Sequence, residues 1–335
     1  MDRCIVPKAV FLCAGEDAAP EAAPALVEHG ADLQKTPASS PMAYTDIQKP
    51  ALSYRYEFGL DELEAAQACV DAHGFAVVKQ VLSEELVKEL QEAVLQVIDP
   101  DGTLGPGESF THTSFVEHAP ALWKLLDYEP FLRVQRLFCQ ADELTIHRSA
   151  AILRNPGSSP LTWHSDWHGF SQGPPQNAGD VLNRGHWPSG RWFYLTGSYP
   201  EHGGLAVIEN SHVEDWAGPE GFALTPDRRS FHRQGSEPKG YVGFDVPGIV
   251  PLFTEPGDQI IFAARTYHAA FPNQTDQVRL SCGLGLRPRS YRIEAPWPLP
   301  ESAQAFIRAL PARHQHFVEN YVGIDTKWRG QEMTA

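Results

Sequence analysis

The chain has 335 residues, 42% of them hydrophobic and 21% charged, with a net charge of −15 when the histidines are neutral. Such a composition suits a soluble globular protein that buries its core without disulfides, and the charge argues against nucleic acid or an anionic membrane as partner, since both select clustered Lys and Arg. The five cysteines (Cys4, Cys13, Cys69, Cys139, Cys282) are scattered and contain no CxxC pair, so neither a disulfide framework nor a zinc ribbon is expected.

In chain order, residues 1–50 are rich in Ala and Pro and read as an N-terminal extension, with a short helix near Ala22–His29. The apolar run AVFLCA is too short for a secretory signal. No stretch has the length of a membrane-spanning helix, and the closing QEMTA is not a peroxisomal address. A cytoplasmic location is the expectation. Residues 51–335 are expected to form a single domain whose helical part covers 60–140. LDELEAAQACVDAHG has apolar residues at helical spacing and stops at Gly74, a residue suited to the position after a helix end. FAVVKQV predicts a buried strand. Ser83 is an N-cap candidate for the helix SEELVKELQEAVLQVI, with Glu84 and Glu85 in its first turn and Leu86, Leu90, Val94 and Val97 on one stripe. A further helix is predicted over Ala119–Phe138, carrying Leu122, Leu125, Leu126 and Leu132.

From about Glu143 to residue 290 the pattern becomes β. ELTIHRSAAILR, RWFYLTGSY, GLAVIEN, IVPLFTE, DQIIFAA and VRLSCGLGLRP are separated by Gly, Pro, Asn and Asp, which suggests a sandwich or barrel rather than a parallel sheet. A C-terminal helix is expected over about 303–321, and there is no internal repeat.

The segment LTWHSDWHGF, residues 161–170, gathers three side chains of metal-binding type, His164, Asp166 and His168. In an extended segment alternate side chains share a face, so His164 and Asp166 can reach one ion. The best third ligand is His268, placed towards the far end of a strand that follows the turn Pro256–Gly257–Asp258. Two histidines and a carboxylate leave positions open on a metal, as in non-haem Fe(II) oxygenases. Arg279 lies eleven residues after His268. On VRLSCGLG, Arg279, Ser281 and Gly283 fall on one face and Val278, Leu280, Cys282 and Leu284 on the other, the pattern of a strand with a pocket on one side and a core on the other. Arg279 can grip a carboxylate through a two-toothed fork, with Ser281 beside it.

WHSD, the hairpin HGGLAVIENSH (202–212) and the distal GD…H…N…R set ending in Arg279–Leu280–Ser281 together resemble the phytanoyl-CoA dioxygenase family over roughly residues 70–290. The resemblance implies a mainly β fold with flanking helices, built on a double-stranded β-helix (a jelly-roll, cupin-like core). It implies Fe(II) held by His164, Asp166 and His268, 2-oxoglutarate held by Arg279 with Ser281, and O2 as second co-substrate. The implied reaction hydroxylates an aliphatic C–H bond of a small metabolite and releases succinate and CO2. Desaturation, epoxidation or ring formation are alternatives on the same chemistry. Halogenating relatives lack the motif carboxylate, so Asp166 favours hydroxylation. ENSH stands where the family commonly has Pro-Gly-Ser-His, and the Gly/Pro-rich segment 171–190 reads as a lid that governs selectivity.

Blander readings compete at each residue. Taken singly, HxD is a solvated turn, His268 a core histidine and Arg279 an ordinary ion-pair partner. His168 reads as a neighbour of the site and His212 as structural. Trp163 and Trp167 read as core, while Trp187 and Trp192 either line the pocket or pack. Tyr194, Thr196, Arg154 and His147 are minor pocket candidates. A cupin-like metal-binding protein or isomerase is the alternative class, but it has no need of Arg279 beside the distal histidine. A scaffold that binds partners through residues 1–50 is another. No basic run near the motif suggests a CoA phosphate grip, which favours a small-molecule substrate. The sequence sets no oligomeric state.

Overall fold

The computed structural model describes residues 44–170, 173–185 and 190–330, which belong to one unit, Ala43–Ala335. The expected helix at Ala22–His29 and the pocket candidate Trp187 lie outside the described residues. Strand β1 (Glu57–Phe58) pairs parallel with β2 (Phe75–Val78), all four residues of which are buried. Between them α1 (Leu63–His73) turns Leu63, Ala66, Cys69 and Val70 inward. It stops at Gly74, whose φ of 90° is the left-handed conformation that ends helices cheaply only in glycine. Helix α2 (Glu84–Ile98) begins as its sequence requires: the Ser83 hydroxyl accepts from the Leu86 N–H at 3.3 Å, a cap worth about 1 kcal/mol.

The stretch predicted as one helix over Ala119–Phe138 is instead three pieces: α3 (Pro120–Trp123), a 3-10 turn at Lys124–Asp127 and α4 (Glu129–Cys139). Pro130 has no N–H to donate and pushes the chain before it out of helical geometry, so it sits in the first turn of a new helix. Leu122, Leu125, Leu126 and Leu132 are buried all the same. The C-terminal helix is likewise shorter than expected. A short helix, α5 (Ala178–Leu182), lies in the 171–190 segment; α6 (Glu301–Ala309) then ends before Pro311, and a 3-10 turn covers Ala312–Val318.

The remaining strands are β3 (Ser109–Thr113), β4 (Leu144–Arg154), β5 (Gly190–Tyr194), β6 (Leu205–Ile208), β7 (Phe222–Leu224), β8 (Phe231–Arg233), β9 (Ile249–Pro251), β10 (Gln259–Phe262), β11 (His268–Ala270) and β12 (Arg279–Pro288). The larger sheet has the order β1-β2-β10-β5-β12-β4-β3, the smaller one β11-β6-β9, and β7 pairs with β8. Two local expectations change. HGGLAVIENSH is not a hairpin: β6 pairs outward with β11 and β9. The strand after Pro256–Gly257–Asp258 does not run through to His268. A turn in which the Thr266 N–H donates to Ala263 O carries the chain from β10 in the larger sheet to β11 in the smaller one.

One apolar core lies between the helices and the larger sheet, and a second, aromatic core contains Trp163, Phe231, Phe244, Tyr267 and Phe271. On β12, Leu280, Cys282, Leu284 and Leu286 belong to the first core. Strand β4 faces that core with Leu144 and Ile146 and later with Ala151 and Leu153, a change of parity along one strand. The cause is a bulge: Arg148 pairs with Gly285 but Ile146 with Leu286, which leaves His147 as the extra residue. Among the described residues, no helix is long and apolar enough to cross a membrane.

Candidate active site

The extended segment 161–165 lies against β11. His164 and His268 exchange both backbone hydrogen bonds, at 3.0 and 2.9 Å, and the Leu161 N–H donates to Ala270 O. This pairing brings the two imidazoles to a centroid separation of 4.2 Å, and His164 Nε2 stands 3.9 Å from Asp166 Oδ1. The ligand atoms of His164, Asp166 and His268 all lie within 4.8 Å of one another. Alternation also sends Trp163 and Ser165 the other way: Trp163 is fully buried in the aromatic core, its indole N–H on Gly243 O.

The tautomers follow from the partners. His164 Nδ1 is 2.8 Å from Thr162 O and His268 Nδ1 is 3.0 Å from Thr266 O. A carbonyl only accepts, so each Nδ1 carries a proton and Nε2 is the nitrogen each ring turns to the site. Burial, aided by the neighbouring His164, pushes the His268 pKa down to about 4, so its ring is neutral at physiological pH. Two imidazoles and a carboxylate are a donor set that fits a divalent metal ion.

These residues border a cavity of about 550 Å³ between the two sheets, within the usual range for small-molecule sites. Arg279 lines it, is 2% exposed, donates to Ser281 Oγ at 3.2 Å and stacks over the Tyr194 ring at 4.9 Å. In register across β12 and β4 stands a second buried arginine, Arg154, whose pKa burial and the Arg279 charge push down to about 10. Both remain cations at neutral pH. Arg148, from the strand ahead of the motif, donates to Asp166 Oδ2 at 3.4 Å.

The minor candidates separate. Trp192 and Tyr194 line the cavity with His147, whose pKa burial holds well below the ordinary value. Thr196 instead receives the Leu280 N–H on its hydroxyl. His168 points to Asp180 (Nδ1 to Oδ1, 2.5 Å) and so ties the strand end to α5. Trp167 packs under Arg265, 4.0 Å from ring centroid to guanidinium. His212 reaches Asp71 O at 3.0 Å, and its neighbour Asn210 takes a φ of 61°, a conformation Asn tolerates where the family commonly has Gly. Arg148 carries no local sequence signal, and only the register of β4 places it; Arg191 of β5 turns instead to α4, its Nη1 donating to Gln135 Oε1. A second cavity, walled by α5, Gln176 and the segment Thr326–Gly330, shares Thr113, Arg148 and Ile324 with the first.

Comparison with known proteins places the chain in a family. The family model described as phytanoyl-CoA dioxygenase matches residues 70–281. A relative, 1-deoxypentalenic acid 11-beta-hydroxylase of Streptomyces arenae, is 26% identical over 285 residues, 76% of this chain and 92% of the relative. The protein of the same name from Streptomyces exfoliatus is 27% identical over 274 residues, 73% of this chain and 89% of the relative. Among solved structures, the non-heme alpha ketoglutarate dependent epimerase SnoN from nogalamycin biosynthesis aligns with a TM-score of 0.52 at 18% identity, over 82% of this chain and 96% of that one, a likeness of fold. The matched region is more than half of the chain, and the chain belongs to the phytanoyl-CoA dioxygenase family.

Proposed function

We propose that this 2-oxoglutarate-dependent dioxygenase hydroxylates an aliphatic C–H bond of a small metabolite, with His164, Asp166 and His268 holding Fe(II) and Arg279 with Ser281 anchoring 2-oxoglutarate. The observation that carries the reading is the meeting, in one cavity, of the His–Asp–His cluster with a buried arginine that has no carboxylate partner among the described residues. Iron with 2-oxoglutarate supplies the oxidising chemistry, in which O2 and 2-oxoglutarate become succinate, CO2 and an oxygen inserted into the C–H bond.

The chain's own part is positional. Thr162 and Thr266 carbonyls fix the two imidazoles with Nε2 inward, and Arg148 orients Asp166. Arg279 takes the distal carboxylate by a charge-assisted fork, and Tyr194 and Ser281 hold its guanidinium in place. The two sheets correspond in this reading to the halves of a double-stranded β-helix, and 51–335 to one catalytic domain. The relatives' printed name, a hydroxylase, supports hydroxylation over the other outcomes. A succinate assay with Fe(II), 2-oxoglutarate and O2 tests the reading: slow substrate-independent succinate formation is expected from the wild type and its loss in His268→Ala. A protein that binds iron yet forms no succinate sinks it.

A further inference from the structure

Arg279 does not stand alone at its end of the cavity. Arg154 of β4 pairs with it in cross-strand register, and directly opposed residues of neighbouring strands share a face, with Cβ atoms about 5 Å apart. Both arginines are buried, Arg154 at 4% and Arg279 at 2% exposure, and both line the cavity. Like charges set directly opposite one another destabilise a sheet, and burial removes the water that would weaken their repulsion.

No carboxylate among the described residues offsets this pair. Arg154 donates from Nη2 to Ser159 O, and Arg279 from Nη1 to Ser281 Oγ, and neither acceptor carries a charge. The charged and titratable neighbours that act on the Arg154 guanidinium are Arg279 itself and the Tyr194 phenol. On the other side of Arg154, β3 places Ser109 in register. The cavity's carboxylate, Asp166, is taken by Arg148, farther back along β4. Two buried cations persist side by side where an anion pairs with them. A carboxylate has two oxygens and about four lone-pair sites, enough for two guanidinium groups. The Arg154 side chain is also fixed in advance. Ser159 O holds its Nη2 end, and Asn273 Nδ2 donates to Arg154 O at 3.2 Å, so little freedom is lost when a ligand arrives.

We infer that Arg154 is a second anchor for the co-substrate, taking the distal carboxylate of 2-oxoglutarate together with Arg279, so that this carboxylate lies between two guanidinium groups. The inference rests on the dioxygenase reading above, which brings that carboxylate to Arg279. It gives the site a stronger demand for a charged far end on the keto acid than one arginine supplies.

The test separates the two ends of the co-substrate. 2-Oxopentanoate keeps the keto acid and the five-carbon chain of 2-oxoglutarate but carries a methyl group in place of the distal carboxylate. Each keto acid is titrated into oxygen-free Fe(II) protein and followed by calorimetry and by the visible absorption of the metal-bound keto acid. Arg154→Gln is expected to weaken 2-oxoglutarate at least about tenfold while leaving the affinities for 2-oxopentanoate and Fe(II) unchanged. Arg154→Lys, which keeps a charge, should recover part of the loss. An arginine that only supports the fold would weaken both keto acids alike when removed. If Arg154→Gln costs 2-oxoglutarate less than about tenfold, or weakens both keto acids together, the second anchor is overturned and the dioxygenase reading stands. If 2-oxoglutarate produces no absorption with the wild type, the dioxygenase reading itself fails.

Discussion

Replacing Arg279 by Met removes the proposed anchor while keeping most of the side chain's volume. The guanidinium is 2% exposed and fixed by Tyr194 and Ser281, so its bond to a carboxylate forms away from water. Truncating one partner of such a buried charged pair costs about 2–5 kcal/mol. Arg154 remains opposite and still attracts the anion, which places the expected loss near the lower end, about 3 kcal/mol, or roughly 150-fold in 2-oxoglutarate affinity. Fold stability should move the other way. An unpaired buried cation weakens the apo protein, so Arg279→Met without ligand should melt no lower than the wild type. Wild type should gain melting temperature as 2-oxoglutarate is added with metal present, by mass action, and the variant should gain almost none. Oxygen-free calorimetry gives the affinity and scanning calorimetry the melting temperatures. Unchanged 2-oxoglutarate affinity, or a loss confined to metal affinity, would refute the anchor.

Other consequences are local. His268→Ala should weaken Fe(II) binding by at least about 100-fold, as metal titration followed by calorimetry would show, because two donors remain of three; a change below threefold removes His268 from the ligand set. Gly283→Val should destabilise by about 1–3 kcal/mol by overpacking against Arg191 O and Trp192, and denaturant melts that match wild type would contradict the close approach. Cys69 and Cys282 are buried, with thiol pKa values pushed up by burial to about 11 and about 12. A raised pKa means little thiolate at pH 8, so mass mapping after iodoacetamide should find both unlabelled in native protein and labelled once it is unfolded. His168→Ala should speed amide exchange across 176–183 by releasing Asp180, and with it α5, from its tie to residue 168 and leave Fe(II) affinity unchanged; protected amides there would remove His168 as a brace.

The parts of the site that rely on spacing were legible in the sequence. Alternation around His164 and Asp166, and again from Arg279 to Leu284, holds wherever backbone is extended, so the faces could be assigned without coordinates. What depended on strand partners was hidden. His268 heads a short strand in the smaller sheet because the chain crosses between sheets at Ala263–Thr266, and no periodicity announces a crossing. The β4 bulge at His147 inverts which residues face inward, so Arg148 and Arg154 share the cavity face although the strand's first residues suggest the opposite parity. No basic run stands near the motif, yet β4 and β12 together bring three arginines, Arg148, Arg154 and Arg279, to one cavity. Pro130 and Pro311 broke helices whose leucine spacing alone read as continuous.

The central claim is most directly tested by crystals grown without oxygen in the presence of Fe(II) and 2-oxoglutarate, with diffraction recorded across the iron absorption edge. One anomalous peak is predicted between the Nε2 atoms of His164 and His268 and the Asp166 carboxylate, with the distal carboxylate of 2-oxoglutarate at Arg279. An iron peak elsewhere, or 2-oxoglutarate bound away from Arg279, would contradict the account.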